Sequence, residues 1–388
     1  MARKKANASE DDLDFLMNSV DDGATLREIG RVPYFIDTGN LGLNYILSGK
    51  FITGGIPGNK ITEAYGPSGS SKSLLGSCLL GSCQRMGGYA ILLDCERGCN
   101  AEFMEQAAHA NIDKLIVYSP ETIEACQRKI IAVTDSIRDK KGPDVPILFV
   151  WDSVTVPMTD RERKELDLSE NPTDAEIKRV AGSLEKPGER AKAINGMLRK
   201  INPYLNNKNA SLFAINQVRQ TIGNMYGPSE VTPGGKSLEF YASSRLRTAA
   251  FKKIEDENGF PLGVNLKFTN KKSRTFTPGL NVDNVKLYYD RGMDPLSGLL
   301  GILIKARRVV MTGKGSYQVN PELVNGEEIK FKASKTRDDV SLELLQQVPA
   351  LVDAKDVDEL NKYFEPYEKA IGFSGIEKDI EAKDLLDG

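Results

Sequence analysis

The sequence predicts an α/β protein with a mainly parallel central sheet, and three observations lead to this prediction. Short apolar runs typical of buried strands alternate with longer segments of helical periodicity between residues 61 and 216. A loop rich in glycine and serine joins the first such strand to the first such helix. After residue 244, three further apolar runs follow one another without intervening helices, which favours antiparallel strands at one edge of the sheet.

Length and composition limit what kind of protein this is. A chain of 388 residues with 40% hydrophobic and 27% charged residues is typical of a globular protein with a large core domain and smaller additions. No apolar run approaches the roughly 20 residues of a membrane-spanning helix, and the first residues lack the apolar stretch of a signal peptide. Five cysteines without a Cys-x-x-Cys pair, and a single histidine, argue against a zinc site and indicate a reduced, cytoplasmic protein.

Charge is distributed unevenly along the chain. The formal net charge of −2 argues against a protein that coats nucleic acid with its whole surface. Residues 353–388 hold eleven acidic residues against five lysines, a local charge of −6, which leaves +4 for residues 1–352. Basic side chains can therefore be concentrated on one working face.

The first predicted element is a short amphipathic helix. Apolar residues recur at helical spacing behind a capping pattern: Leu13, Leu16, Met17 and Val20 follow Ser9 and Asp12. A helix this short cannot bury its apolar stripe alone, so we expect residues 1–36 to form a polymerisation segment that docks on the next protomer.

The central part of the chain alternates between predicted strands and helices. The strands are at residues 61–65, 89–94, 115–119, 146–152 and 211–216, and the helices at 72–86, 120–136 and 189–206. Ser119 is expected to cap the second of these helices, with Pro120 at its first position. The later strands are expected at Ser244–Phe251, Leu262–Thr269 and Val285–Asp290. A boundary near residue 294 divides a core domain, 37–294, from a small mixed α/β C-terminal domain, 295–388, with an acidic tail.

Residues 66–73, Gly-Pro-Ser-Gly-Ser-Ser-Lys-Ser, nearly match a phosphate-binding loop. Such a loop gathers backbone N–H groups at a helix N-terminus around an anion, and adds a lysine for phosphate and a hydroxyl for Mg²⁺. Lys72 and Ser73 supply the last two, but Ser71 stands where the pattern has glycine. A Cβ there costs up to a few kcal/mol if the dihedral angles are strained. A Gly/Ser-rich turn that binds no nucleotide is the alternative.

Two acidic residues at strand ends favour nucleotide binding. Asp152 ends an apolar strand, where a carboxylate supports Mg²⁺ in nucleotide-hydrolysing enzymes, although an aspartate that only caps a turn is the alternative. Glu96 lies just beyond the neighbouring strand, where a carboxylate can orient the attacking water. Asp94 is assigned a structural role. Together these features predict a site for ATP and Mg²⁺.

Several separated blocks resemble the RecA-type recombinases, and more closely their bacteriophage UvsX-like branch, from about Asp37 to Gln318. These blocks are DTGNLGLNYILSGKFITGG, the loop GPSGSSKS without glycine before lysine, INQVRQTIGNMYG with TPGGKSLEFYASSRLR, KKSRT, and YDRGMDPLSGLL. The resemblance implies a RecA-like P-loop ATPase core that forms helical filaments on single-stranded DNA. It further implies homologous pairing and strand exchange with duplex DNA, coupled to DNA-stimulated ATP hydrolysis, in DNA recombination and repair.

The resemblance also implies roles for individual residues. The loop would hold the nucleotide through Gly66, Pro67, Ser68, Gly69, Ser70, Ser71, Lys72 and Ser73, with Phe103 against adenine. Ser73 and Asp152 would serve Mg²⁺, while Glu96 would activate water. Gln217 would sense the γ-phosphate. Lys272 and Arg274 would reach the ATP of a neighbouring subunit, with Lys271 as an alternative to Lys272; without the resemblance, a solvated basic edge is the alternative.

Two long loops that follow core strands are candidates for DNA contact, because ligands bind at the C-terminal ends of strands in such sheets. Mobile surface is the alternative for both. In the second loop, about residues 218–237, basic residues can meet phosphates, an apolar wedge can meet unstacked bases, and glycines allow close approach: Arg219 and Lys236, Met225 and Tyr226, and Gly234 and Gly235. The first loop, about residues 157–189, departs from the family in length and charge, so no residue in it is assigned.

Other functions are compatible with the same core fold. A RecA-fold DNA helicase or motor would carry a large N-terminal domain, whereas residues 1–36 precede the family core. A non-hydrolysing ATP-dependent DNA-binding filament protein would be favoured if Glu96 or Asp152 were missing. The expected partners are single-stranded and double-stranded DNA, further copies of the chain, a single-strand-binding protein and a loading mediator. We expect no membrane association and a cytoplasmic location, in the host cell if a phage encodes the chain.

Overall fold

A computed structural model describes residues 30–166, 188–220, 230–333 and 340–367. Its α-helices are α1 Leu41–Ser48, α2 Lys72–Arg85, α3 Ala101–Ala108, α4 Ile123–Lys141, α5 Asp160–Leu166, α6 Glu189–Asn207, α7 Ser237–Tyr241, α8 Leu299–Lys305, α9 Leu342–Gln347 and α10 Val357–Phe364. No helix among the described residues is both long and apolar enough to cross a membrane.

The strands of the described residues belong to one large sheet and three small ones. They are β1 Phe35–Ile36, β2 Ile56–Pro57, β3 Ile61–Gly66, β4 Tyr89–Asp94, β5 Ile116–Tyr118, β6 Ile147–Asp152, β7 Ala210–Gln217, β8 Arg219–Gln220, β9 Glu230–Val231, β10 Ser244–Glu255, β11 Pro261–Ser273, β12 Asn281–Tyr288, β13 Gly292–Met293, β14 Val309–Gly313, β15 Ser316–Val319 and β16 Lys330–Lys332.

The large sheet has nine strands in the order β13-β12-β11-β10-β3-β7-β6-β4-β5. From β10 to β5 all neighbours are parallel. From β10 to β13 all neighbours are antiparallel. The predicted fold class, a mainly parallel sheet with antiparallel strands at one edge, is confirmed. β14, β15 and β16 form a separate antiparallel sheet beyond residue 294.

Helices cover both faces of the parallel strands, which explains why these strands are apolar on both faces. Side chains alternate across a strand, and in β6 Leu148 and Val150 join the apolar cluster that contains α2. Phe149 and Trp151 join a second cluster that contains residues of α4 and α6. The C-terminal edge of the sheet, where the strands run into loops, is therefore the open edge at which polar residues can gather.

Helix α4 begins later than predicted. The expected start at Pro120 is wrong: the helix runs from Ile123 to Lys141, and the Thr122 side chain caps it by accepting a hydrogen bond from the Ala125 N–H. The backbone just before it pairs with a distant segment instead, since the Met158 N–H donates to the Glu121 carbonyl at 3.0 Å. That partner is 37 positions away, so local capping preference could not predict it.

The C-terminal residues pack onto the core through a cluster around Asp37. Tyr363 and Tyr367 both donate their hydroxyl protons to the Asp37 carboxylate, and Asn44 donates to it at 2.6 Å. Arg85, at the end of α2, donates to the Tyr367 hydroxyl at 2.9 Å. The helix that starts at the phosphate loop therefore ends against the C-terminal part of the chain.

Candidate active site

Four strand ends bring the predicted site residues to one edge of the sheet. β3 ends at Gly66, directly opposite Gln217 at the end of β7. β4 ends at Asp94, directly opposite Asp152 at the end of β6. Because these strands are parallel neighbours, the loops that follow them leave the sheet on the same side. Three features therefore meet at this edge: the glycine-serine loop (residues 66–73), the acids Asp94 and Asp152, and the start of the second long loop.

Lys72 lies at the start of α2 and turns back over the loop. Its Nζ donates to the carbonyls of Gly66 at 3.1 Å and Pro67 at 2.7 Å, and to the Ser70 hydroxyl at 3.3 Å. Burial lowers the pKa of Lys72, while the nearby Asp152 and Glu96 carboxylates raise it. The ammonium group thus lies beside the N-terminus of α2, and a helix N-terminus stabilises a bound anion.

Ser71, the residue that departs from the phosphate-loop pattern, adopts a left-handed backbone conformation. Its φ is 56° and its ψ is 29°. For a residue with a Cβ this conformation costs about 1–2 kcal/mol. At Gly66, in contrast, no side chain fits, because a Cβ there would lie 2.2 Å from the Thr248 carbonyl oxygen. The loop thus keeps its glycine where space demands one and tolerates serine where only the dihedral angle is unfavourable.

Asp152 and Ser73 offer oxygen atoms suited to a divalent cation. The pKa of Asp152 is raised to about 6, because the effect of burial outweighs the lowering effect of a hydrogen bond with the Ser73 side chain. Asp152 Oδ1 is buried without a hydrogen-bond partner among the described residues. A buried carboxylate oxygen without a partner is costly, and a hydroxyl with a carboxylate is a donor set that Mg²⁺ accepts. These residues therefore fit Mg²⁺.

Glu96 is held next to Asp152 by side-chain and backbone hydrogen bonds. The Ser153 hydroxyl donates to Glu96 Oε1 at 2.6 Å, and the Glu96 N–H donates to the Asp152 carbonyl at 3.3 Å. Asp94 accepts hydrogen bonds from the N–H groups of Gly98 and Cys99, at 3.2 and 3.1 Å, and so shapes the turn that carries Glu96. These contacts support the structural role assigned to Asp94.

The acids open onto a cleft between α2 and α3. Its lining consists of Ser73, Leu74, Ser77, Leu92, Asp94, Glu96, Gly98, Cys99, Asn100, Phe103, Met104 and Asp152. Phe103 lies in the first turn of α3. Asn100 caps this helix, since its side-chain oxygen accepts a hydrogen bond from the Phe103 N–H at 2.9 Å. Phe103 is 37% exposed. The structure therefore brings Ser73, Glu96, Phe103 and Asp152 together, with an aromatic ring available to stack on a base.

Gln217 stands between the glycine-serine loop and the second long loop. The N–H of Val218 donates to the Gly66 carbonyl at 3.2 Å, and the backbone of Arg219 then pairs with that of Val231. Gly234 and Gly235 have φ values of 88° and 69°, which glycine adopts readily, and Lys236 is exposed. Met225, Tyr226 and the Arg219 side chain lie outside the described part, as do residues 167–187 of the first loop.

Lys272 and Arg274 do not line the cleft of their own chain. Lys272 Nζ donates to the carbonyls of Glu239 at 2.5 Å and Phe240 at 3.0 Å, and Arg274 donates to the Phe240 carbonyl at 3.1 Å. Both cations thus lie at the C-terminal end of α7, where cations are stabilised by the helix dipole. This helix directly follows the second long loop.

Sequence reasoning missed four polar residues around the site. Ser153 contacts Glu96, while Glu63, Asn216 and Arg245 form a buried network beneath the loop. Glu63 carried a signal that could have been used, because it is a charged residue inside the apolar strand ITEAY. The other three are ordinary polar residues in sequence, and their roles depend on neighbours far along the chain.

Comparison with known proteins agrees with this geometry. The family model of the RecA N-terminal domain matches residues 30–294. Protein RecA of Thermus aquaticus is 27% identical over 356 residues, which cover 91% of this chain and 95% of that protein. Protein RecA of Thermus thermophilus is 28% identical with the same coverage, and that of Legionella pneumophila is 28% identical over 316 residues, 81% of this chain and 82% of that protein.

The family model and these relatives extend over most of the chain, and the residues at the sheet edge fit the cofactors that the family uses. The lysine at the helix N-terminus and the unpartnered oxygen of Asp152 are compatible with ATP and Mg²⁺. This chain therefore belongs to the RecA family, and it is a DNA-dependent ATPase that acts as a strand-exchange recombinase.

Proposed function

We propose that this recombinase hydrolyses ATP in the cleft between α2 and α3, with Glu96 as the residue that activates water. The observation that carries the proposal is the convergence of Ser73, Glu96, Phe103 and Asp152 on one cleft at the ends of β4 and β6. ATP with Mg²⁺ supplies the phosphoryl group to be transferred when bound. Lys72 would neutralise phosphate charge, Ser73 and Asp152 would hold the metal, and Phe103 would pack on the adenine.

Glu96 and Lys72 are the residues whose contacts would change during the reaction. Ser153 holds one carboxylate oxygen of Glu96 at 2.6 Å, which leaves the second oxygen to accept a proton from water. Lys72 has three donors, and its present partners are two loop carbonyls and a hydroxyl. These neutral partners are weaker than phosphate oxygens, since hydrogen bonds between charged groups are the stronger ones.

Gln217 is proposed to couple the cleft to DNA binding. It lies opposite Gly66, and the second long loop begins two residues later. A hydrogen bond to the γ-phosphate would shift the end of β7 and with it the loop, as in other nucleotide-dependent order–disorder switches. Lys272 and Arg274 are proposed to reach the same phosphate from a neighbouring protomer, so that ATP joins protomers and tightens DNA binding.

The finer placement and the partners are also proposals. We place the chain in the bacteriophage UvsX-like branch on the serine at position 71 and the blocks KKSRT and YDRGMDPLSGLL. We infer a domain plan with an N-terminal polymerisation segment, 1–36, a core, 37–294, and a C-terminal domain, 295–388. A single-strand-binding protein and a loading mediator would act with it in the cytoplasm of a host cell.

Negative-stain microscopy with single-stranded DNA and an ATP analogue, together with an ATPase assay, tests this proposal. The wild-type protein is expected to form helical filaments and to hydrolyse ATP, and Lys72→Ala is expected to hydrolyse none. Lys355→Ala, an exposed lysine in the C-terminal part, serves as the matched control and should behave as wild type. Closed rings would instead support a motor, and filaments without ATP hydrolysis would contradict the role of Glu96.

A further inference from the structure

A buried ionic network lies beneath the phosphate loop. Glu63, in the central strand β3, is fully buried at 0% exposure. Arg245 on β10 donates from Nε to Glu63 Oε2 at 2.5 Å, and Asn216 on β7 donates from Nδ2 to Glu63 Oε1 at 3.0 Å. One carboxylate thus joins three adjacent strands, and both of its oxygens are satisfied by partners on either side.

This network faces away from the nucleotide cleft. Along β3, Ala64 belongs to the apolar cluster of α2, whereas Ile61 belongs to the cluster of α4 and α6. Side chains alternate along a strand, so Glu63 shares the face of Ile61. The guanidinium of Arg245 also lies over the Tyr65 ring, 4.6 Å from its centroid. The network is therefore no part of the nucleotide contacts, although it lies three residues before Gly66.

The partners of Glu63 reach both ends of the second long loop. Asn216 immediately precedes Gln217, and its Nδ2 also donates to the carbonyl of Pro233 at 3.2 Å. Asn216, just before the loop, thus contacts Pro233 in the last part of the loop. On the other side, Arg245 Nη1 lies 3.4 Å from Glu239 Oε2 in α7, the helix whose end binds Lys272 and Arg274.

A buried ion pair is poor evidence for a role in stability alone. Taking two charges out of water is costly, and well-packed apolar residues in place of such a pair are often as stable or more so. The position of this pair suggests a different use. It joins β3, which leads into the loop at residues 66–73, to both ends of the second long loop and to α7.

We propose that Glu63 is a positioning residue that couples the nucleotide cleft to the second long loop. Glu63 holds Asn216 and Arg245 in one network. When Gln217 changes its contacts, the two ends of the second long loop and α7 therefore move together. The inference rests on the proposed role of Gln217 and of the second loop in DNA binding. Without the carboxylate, a change at Gln217 no longer reaches Arg245 and α7, and the Asn216 amide loses the partner that orients it towards Pro233.

The test uses the full-length chain and Glu63→Gln, which removes the charge at nearly constant volume. Single-stranded DNA affinity is measured by fluorescence anisotropy at fixed salt, with an ATP analogue and with ADP, and nucleotide affinity is measured separately. Glu63→Gln is expected to reduce the ATP-over-ADP ratio of DNA affinities about tenfold, within the usual range of allosteric coupling. Its affinity for nucleotide should stay within about twofold of wild type, because the hydrogen-bond partners of Glu63 among the described residues, Asn216 and Arg245, are not assigned to the nucleotide.

Asp294→Asn serves as the matched control. Asp294 is also a buried acid, at 1% exposure, and it accepts hydrogen bonds from the N–H groups of Leu296 and Ser297 near the far edge of the sheet. Its substitution is expected to lower the melting temperature and to leave the ratio of DNA affinities unchanged. A merely structural role for Glu63 would make the two variants behave alike.

A double variant, Glu63→Leu with Arg245→Met, separates stability from coupling and carries the test if Glu63→Gln fails to fold. It removes both charges, so we expect it to fold with a melting temperature near wild type but with the ratio still reduced. A wild-type ratio in either variant overturns the role of Glu63. A wild-type protein that binds DNA equally well with ATP and ADP overturns the proposed role of Gln217 first, and the inference with it.

Discussion

The hydroxyl of Ser153 donates a hydrogen bond of 2.6 Å to Glu96. Ser153 directly follows Asp152, and the Asp152 carbonyl accepts the N–H groups of Cys95 and Glu96. The acid proposed to activate water and the acid proposed to support the metal are therefore tied to each other by side-chain and backbone contacts. Asp152 ends β6, and Glu96 lies two residues beyond the end of the neighbouring strand β4. Sites held by strands in this way are more rigid than sites on free loops.

Glu96→Gln is expected to bind ATP normally and to lose about 10²–10⁴-fold in turnover, because the amide cannot take a proton from water. An ATPase assay and a fluorescent-nucleotide titration measure the two quantities. Glu105→Gln, an exposed acid in α3, is the control and should retain the wild-type rate. A wild-type rate in Glu96→Gln would show that another group activates the water.

Ser71→Gly is expected to stabilise the protein by about 0.5–1 kcal/mol. Glycine removes about 1–2 kcal/mol of left-handed strain, and its greater freedom in the unfolded chain returns roughly 0.5–1 kcal/mol of that gain. Urea unfolding measures the difference. The control is Ser77→Gly, inside α2, the helix that Ser71 precedes. It should destabilise the protein by roughly 0.5 kcal/mol. Equal or lower stability of Ser71→Gly would refute the strain argument.

Gln217→Ala is expected to lose most of the preference for ATP over ADP in single-strand binding, while its ATP affinity stays close to wild type. The reason is that Gln217 ends the strand beside Gly66 and begins the path to the second loop. Titration of labelled single-stranded DNA at one salt concentration measures the ratio. Gln347→Ala, an exposed glutamine in α9, should leave it unchanged. An undiminished ratio in Gln217→Ala would rule out the switch.

Cys99 is expected to report on the cleft by its reaction with a thiol reagent. It is exposed and lines the cleft, whereas Cys78 and Cys83 are buried. Burial and the neighbouring Asp94 and Asp152 raise the pKa of Cys99 above its usual value. Its labelling should therefore keep rising as the pH is raised through 9, because the thiolate is the reactive form. Burial raises the pKa of Cys78 and of Cys83 to about 12, so these should stay unlabelled.

Saturating ATP with Mg²⁺ should slow the labelling of Cys99, as mapped by peptide mass spectrometry. The Cys99→Ala variant identifies the peptide. If nucleotide leaves the labelling rate unchanged, the nucleotide does not occupy this cleft.

Deletion of residues 1–30 is expected to leave a folded monomer that forms no filaments. The predicted helix at Leu13–Val20 carries an apolar stripe that needs a partner, although it lies outside the described residues. Sedimentation and negative-stain microscopy with DNA and an ATP analogue measure assembly. Asn18→Ala, on the polar side of the predicted helix, is the control. Normal polymerisation of the truncated chain would contradict the docking role.

Local pattern was sufficient to predict the five strands at residues 61–65, 89–94, 115–119, 146–152 and 211–216, but not the neighbours of each strand. The apolar runs at 61–65 and 146–152 correspond to β3 and β6, because a buried parallel strand must be apolar on both faces. Strand order depends on contacts across the chain: β3 lies between β7 and β10, both more than 140 residues later. No local preference records such pairings.

The site residues show the same division. The gathering of Lys72, Ser73, Glu96 and Asp152 at one edge of the sheet was predictable, because each lies at or after a strand end in a recognisable order. The contacts of Lys272 with the carbonyls of α7 were not, because a carbonyl at a helix end leaves no mark on the sequence. Glu63 shows the converse, since its burial was visible as one charged letter in an apolar strand, but its partners were not.

The cluster around Asp37 has a consequence for how the chain folds during synthesis. Asp37 precedes Tyr363 by 326 residues and Tyr367 by 330. At roughly 5–20 residues per second, a ribosome takes roughly a quarter of a minute to a minute to make that span. Over this time α1 and the start of the core lack the partners that close their surface, so the nascent chain needs protection from aggregation until its last tyrosines emerge.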